Sequence, residues 1–179
     1  YDEFYSDSRS MLHNMILNQV WAIENIPDDR CTDRIITIPG PYFDNVLNAE
    51  ALGAEVVFYD DQPSRLLKKL SEPRDVEILK IPQPTDGLWG KKIKYFLKWQ
   101  ELLKNYEVKF NEEPGKIEIS NLDIGGDGPI LTSMDLAKEN FLLWAIDCPE
   151  VCHLLLKKTT EAIIKRGQYL RKIDPRPIT

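Results

Sequence analysis

Apolar residues recur at helical spacing in four stretches and run continuously in three short ones. Met11, Leu12, Met15, Ile16, Val20 and Ile23 predict a helix over 7–26, with Asp7 or Ser8 as its cap and Pro27 as its stop. Ile35 to Ile38 is a short β-branched run, so a strand, and Pro39-Gly40-Pro41 breaks it. Tyr42 to Leu52 reads as a short helix that Gly53 ends, and Ala54 to Tyr59 as a strand turned by Asp60-Asp61-Gln62-Pro63. A short helix around Leu66–Leu70 is expected next, then an irregular crossing through Pro73, Pro82 and Pro84.

Leu88 to Tyr106 is a long amphipathic helix. Ile93, Phe96, Leu97, Leu102 and Leu103 form its apolar side, with Lys91, Lys92, Lys94, Lys98 and Lys104 outside. Glu112 to Gly115 is expected to turn into a strand carrying Ile117, Ile119, Leu122 and Ile124. Gly125, Gly126 and Gly128 form a turn that tolerates positive φ, and Pro129 suits the first turn of a helix running to about Ile146. Pro149 opens a last helix, Glu150 to about Lys172, with Val151, Leu154, Leu155, Ala162 and Ile163 inward and Asp147 as a cap. A strand, a tight turn and a helix make half of a βαβ unit, and ligands sit at the strand's C-terminal end in such units. The Gly126–Pro129 turn is therefore a candidate cleft wall. It is no phosphate cradle: Leu131 stands where G-x-G-x-x-G needs glycine, and Asp127 would repel a phosphate.

Composition narrows the classes. The 179 residues suit one domain over 1–179. Hydrophobic content of 42% and charged content of 29% are those of a soluble globular chain. With 23 Lys and Arg against 29 Asp and Glu, the net charge of −6 speaks against nucleic acid as a partner. No apolar run approaches the roughly 20 residues of a membrane span, and Tyr-Asp-Glu-Phe-Tyr is no signal peptide. Cys31, Cys148 and Cys152 make no disulfide framework, so reduced thiols in a cytoplasmic protein are expected.

Chemistry-bearing residues are few. Cys148, Cys152 and His153 have poor ligand spacing, and no fourth ligand completes a zinc site. His13 is a lone surface histidine, and no Ser-His-Asp set can be assembled. Asp44 follows a strand end at the start of a helix, where it either caps that helix or projects into a cleft. Tyr42 and Phe43 beside it either stack on a flat ligand or serve as core.

Three segments, in order and spacing, resemble one family. Asp44-Asn45-Val46-Leu47-Asn48-Ala49-Glu50-Ala51-Leu52-Gly53-Ala54-Glu55-Val56 is similar to the D-I-L-x-x-x-x-A-L-G-x-E-V segment of uroporphyrinogen decarboxylases. Gly128-Pro129-Ile130-Leu131-Thr132 resembles their G-P-F/W-T segment, and Asp147 to Leu155 their D-P-E-x-x-H-x-L-L helix. Asp174-Pro175-Arg176-Pro177 looks like a linker of the broader decarboxylase-like branch.

The resemblance implies an α/β fold, a partial (β/α)8 TIM barrel of the uroporphyrinogen decarboxylase type. A full barrel takes about 250 residues, so the chain looks like the N-terminal half of a larger enzyme. Its open sheet edges would invite a second copy or a complementary half-chain. The resemblance also implies a tetrapyrrole or corrinoid ligand, with Asp44 as the catalytic carboxylate facing ring N–H groups and Tyr42, Phe43, Gly126, Gly128 and Pro129 as substrate contacts. Decarboxylases of the family carry an R-Q-A-G-R segment, whereas Arg9, Arg30 and Arg34 are scattered here. The expected parent activity is therefore corrinoid-linked methyl transfer, with tetrapyrrole decarboxylation and a non-catalytic half-barrel module as alternatives. Zinc and a corrinoid would be cofactors of the full-length parent; no metal ligand is expected in this chain.

Overall fold

The computed structural model describes residues 2–27, 34–59, 62–123 and 127–176. In chain order the helices and strands are α1 (Asp2–Ser6), α2 (Ser8–Asn25), β1 (Ile35–Ile38), α3 (Leu47–Ala51), β2 (Val56–Val57), β3 (Arg65–Leu66) and α4 (Pro73–Ile78). They continue with α5 (Leu88–Leu102), β4 (Val108–Phe110), β5 (Glu113–Ile119), α6 (Pro129–Ala137), α7 (Glu139–Asp147) and α8 (Pro149–Ile173). The fold is mixed α/β. The described residues pack as two compact units: those within 2–42 and 92–122 form the first, those within 43–91 and 123–176 the second.

In the first unit, β1 pairs in parallel with β5, setting Ile36 against Ile117 and Ile38 against Ile119. Ile36, Ile38 and Ile119 are buried, so the β-branched run does bury one face. The turn ahead of β5 is tighter than the sequence suggests. Phe110 and Glu113 are paired, leaving only Asn111 and Glu112 in the loop, both at positive φ (47° and 69°). Those signs belong to a two-residue hairpin turn, which the strand twist favours. Glu113 to Gly115 thus belongs to β5, and β4 is a strand the apolar pattern missed because Asn-Glu replaces the usual Asn-Gly signal. A Cβ at Gly115 would lie 2.6 Å from the Phe110 ring, which explains the glycine opposite that ring. β5 also ends at Ile119, short of the expected Leu122, and Ile124 lies outside the described residues.

Helix α2 begins as expected: Asp7 accepts a hydrogen bond from the Ser10 amide at 2.7 Å. Met11, Leu12 and Met15 are buried, but Ile23 is exposed. Helix α5 turns Ile93, Phe96 and Trp99 into this unit, where Trp99 Nε1 donates to Ser8 O at 2.8 Å and Tyr95 Oη to Ser6 O at 2.7 Å. Leu97 faces outward, and Lys92 is buried rather than solvated as its neighbours Lys94 and Lys98 are. The helix tightens into a 3₁₀ turn at Leu103–Asn105.

The second unit is helical around α8. Leu155, Cys152 and Ala162 of α8 pack with Leu136 and Ala137 of α6, Phe141 and Trp144 of α7, and Val76 ahead of Leu79 in and after α4. Three expectations change here. Residues 65–66 are a strand, pairing antiparallel with β2 (Val56 with Leu66), instead of the start of a helix over 66–70. A short apolar run does not distinguish the two by itself. The helix lies later, at α4, where Pro73 occupies the first turn and the Glu72 and Asp75 side chains form a capping box. The stretch 129–146 is two helices, because Lys138 adopts φ 52°, ψ −131° between them. Cys148, not Asp147, is the N-cap of α8. Lys158 then closes the end of α4, its Nζ donating to the carbonyls of Val76, Glu77 and Leu79 at 2.8, 2.7 and 2.8 Å. No described helix is long and apolar enough to cross a membrane.

Candidate functional site

After β1 the chain passes through Pro39 to Tyr42 and enters a 3₁₀ turn, Asp44–Val46, that leads into α3. Asp44 sits at φ 53°. That left-handed region is tolerated by aspartate better than by most side chains, and residues held there concentrate at functional sites. The N-cap position of this turn is Phe43 and that of α3 is Val46, so Asp44 stands inside the turn and occupies neither cap. Instead Oδ2 accepts the Ser64 amide at 3.1 Å, which fixes the carboxylate against the start of β3. Asp44 is half-buried.

The neighbouring aromatics differ. Phe43 is 1% exposed, with Lys91 Nζ 5.7 Å from its ring centroid. A ring so enclosed packs as core and offers no face for stacking on a flat ligand. Tyr42, counted with the first unit, is 46% exposed.

The glycine-rich turn is seen in part. Gly125 and Gly126 lie outside the described residues. Gly128 adopts φ −74°, not a positive φ, and serves as N-cap of α6, with Pro129 in the first turn as expected. A Cβ at Gly128 would meet nothing within 4 Å, so open space lies over this turn. The Asp127 carboxyl is pushed above its ordinary range by burial, and Asp135 adds to the shift.

Asn48 joins these two candidate segments. It lies on α3, four residues after Asp44, and is 4% exposed. Its Nδ2 donates to Asp127 O at 2.9 Å, while its Oδ1 accepts from Arg166 Nη1 at 2.6 Å. Arg166 is 1% exposed on α8, with its guanidinium 4.7 Å from the Trp89 ring. Burial lowers its pKa to about 10, opposed by the charges of Glu50 and Asp86, so it stays protonated at neutral pH. Glu50 is half-buried and its carboxyl is raised by burial. It accepts the Leu88 amide at 2.8 Å. A Cβ at Gly87, whose φ is 63°, would collide with that carboxylate. Neither Asn48 nor Arg166 stood out in the sequence. The signal was there for Arg166: Leu155, Thr159, Ala162, Arg166 and Leu170 share one inward stripe at spacings of three and four.

Other candidates do not assemble. Among the described residues, no group of three or more His, Cys, Asp and Glu could hold a metal ion. Cys152 is buried and its Sγ donates to Phe141 O at 3.1 Å; burial raises its thiol pKa, and that of Cys148 too. Cys148 and Cys152 are joined by no third His, Cys, Asp or Glu in ligand position among the described residues, so they do not make up a zinc donor set. His153 is exposed, and Cys31 lies outside the described residues. His13 lines an open cleft with Phe4, Asp7, Arg9 and Tyr106. A second cleft, of about 470 Å³, is lined by Leu52, Lys69, Leu79, Ile81 and Asp86 and does not include Asp44.

The family model described as uroporphyrinogen decarboxylase (URO-D) matches residues 39–173, well over half of the chain. The chain belongs to the uroporphyrinogen decarboxylase family. No curated protein and no solved structure matches it. The span shared with the decarboxylase family takes in Asp44, Asn48, the Asp127–Pro129 turn and Arg166.

Proposed function

We propose that this uroporphyrinogen decarboxylase-like chain binds a tetrapyrrole ring and that Asp44 is its catalytic carboxylate. The observation that carries the reading is the Asp44 side chain itself: half-buried, held at positive φ, and anchored through one oxygen to the Ser64 amide. A carboxylate so anchored can accept hydrogen bonds from ring N–H groups and balance the cation formed when a pyrrole carbon is protonated. The bond from the side-chain methylene to its carboxyl carbon then breaks. CO2 leaves, and the electron pair of the broken bond neutralises the ring cation and leaves an exocyclic methylene. A proton from solvent adds to that methylene to make a methyl group, and the proton first placed on the ring carbon returns to solvent. Gly128, where a Cβ would meet nothing within 4 Å, and Pro129 are the other proposed ligand contacts. In this reading the parallel β1–β5 pair belongs to a partial (β/α)8 barrel.

Corrinoid-linked methyl transfer is the second reading. It is favoured by the state of Arg34, which pairs with Glu113 at 3.1 Å rather than joining an arginine cluster for ring carboxylates. A corrinoid, rimmed by neutral amides, needs no such cluster and would supply a cobalt-bound methyl group. The zinc that such enzymes use has no fitting ligands among the described residues, and no step is assigned to it.

Absorbance titration with uroporphyrin and, separately, hydroxocobalamin tests both. Uroporphyrin binding that falls about tenfold in Asp44→Asn supports the first reading. Binding of cobalamin alone supports the second, and binding of neither overturns both.

A further inference from the structure

The costliest group in the second unit is Arg166. Its Nη1 has Asn48, yet Nε and Nη2 are buried without a hydrogen-bond partner among the described residues. Buried donors are nearly always satisfied, and an unsatisfied charged one is expensive. The inward stripe of α8 otherwise carries Cys152, Leu155, Thr159, Ala162 and Leu170, so an apolar residue at 166 would suit the packing better. For packing alone an arginine is therefore a costly choice here. What Arg166 does supply is a short, charge-assisted hydrogen bond to the single amide that spans from α3 to the turn before α6. With Oδ1 held by Arg166, the Asn48 amide can present only its Nδ2 to Asp127 O, so its two ends cannot exchange.

We propose that Arg166 is a positioning residue. Acting through Asn48, it holds the α3 segment that Asp44 leads into and the Asp127–Pro129 turn in one fixed register, so that ligand meets both at once. This rests on the tetrapyrrole-binding reading above, and it names two residues that set the site's geometry without touching the ligand. The stacking of the guanidinium on Trp89 and the facing charges of Glu50 and Asp86 keep the arginine in place and protonated.

The test compares the wild-type chain with Arg166→Met, Arg166→Lys and Asn48→Leu. Hydrogen exchange is read over 44–48 and 127–131, and uroporphyrin affinity by absorbance. Arg166→Met is expected to keep the wild-type melting temperature within a few degrees, as replacement of a buried charge by an apolar group of similar size often does. Exchange in both segments should quicken at least tenfold, while β1 and β5 are unchanged. Affinity should fall at least tenfold, with Asn48→Leu matching it and the double variant no worse than either. Arg166→Lys, which keeps the charge but loses the rigid fork, should not restore either readout. Wild-type exchange in both segments of Arg166→Met overturns the proposal, and so does unaltered affinity. If the wild type binds no uroporphyrin, the functional reading fails, and the exchange data alone still decide whether Arg166 sets the register. If Arg166→Met fails to fold, Asn48→Leu carries the same two readouts: quickened exchange supports the proposal, wild-type exchange overturns it.

Discussion

The two units solve the same problem with different interiors. In the first, the fully buried side chains of largest size are Trp99, Phe96, Met11, Leu12 and Ile38, the indole N–H of Trp99 is satisfied by a backbone carbonyl, and buried polar residues are fewer, Ser8 and Lys92. In the second, the buried set includes Arg166, Asn48, Thr132, Ser133 and Thr159 alongside Leu136 and Leu155. Ser133 Oγ donates to Pro129 O at 2.7 Å and lies 3.2 Å from Thr159 Oγ1, so polar links converge on the start of α6. An apolar interior is satisfied by burial alone and tolerates repacking. A polar interior specifies particular partners, and it costs stability wherever a partner is missing. The candidate site lies where the second kind of interior is found.

That contrast can be broken in graded steps. Phe96→Ala in the first unit should cost about 4 kcal/mol, because a fully buried ring leaves a cavity. Thermal unfolding measures it, with the fastest exchange expected in β1 and β5. Leu155→Ala, at the centre of the second unit, should cost about 3 kcal/mol and quicken exchange in α6 and α7 instead. If either substitution loosens both units equally, the division into two interiors is wrong. Lys158→Met removes three hydrogen bonds to the end of α4 and should cost about 2 kcal/mol. Denaturant melts that show no change would make that clasp dispensable.

The smallest effect is in acid. Backbone hydrogen bonds from Ser10 hold the Asp7 carboxyl below the ordinary carboxylate range, and those from Glu72 and Ser71 do the same for Asp75. A carboxylate whose folded pKa is depressed contributes stability that is present above its unfolded pKa and lost as pH falls through the folded one. Melting temperature should therefore fall below about pH 4, and less steeply in Asp7→Asn with Asp75→Asn. An identical acid slope in that variant would show that neither cap matters.

What could be read from the sequence follows the same division. Wherever one apolar face decides an element, the pattern located it: α2 with its Asp7 cap, β1, and α5 each lie within a few residues of expectation. Backbone conformation decided the misses. Lys138 and Asn111 take positive φ with no glycine to announce it, so the α6–α7 break and the β4 hairpin were hidden. The short run at 65–66 became a strand only because β2 lies beside it. Of the candidate site, Asp44 and Pro129 were legible by position and resemblance. Asn48 and Arg166 were not, because their pairing joins residues 118 apart and no local pattern carries that information. For Phe43 the choice between stacking on a ligand and core could not be read, since an aromatic beside a Pro-Gly-Pro turn carries no sign of which way its ring faces; the structure buries it.

The most direct test of the central claim is the affinity of the Asp44→Asn variant for uroporphyrin, measured by absorbance beside its melting temperature. Asparagine tolerates the same positive φ and can keep an oxygen for the Ser64 amide, while the charge and one acceptor oxygen are lost. The account predicts binding weakened about tenfold at an unaltered melting temperature. Binding equal to the wild type, or a large drop in melting temperature, would make Asp44 a structural anchor for β3 and contradict the account.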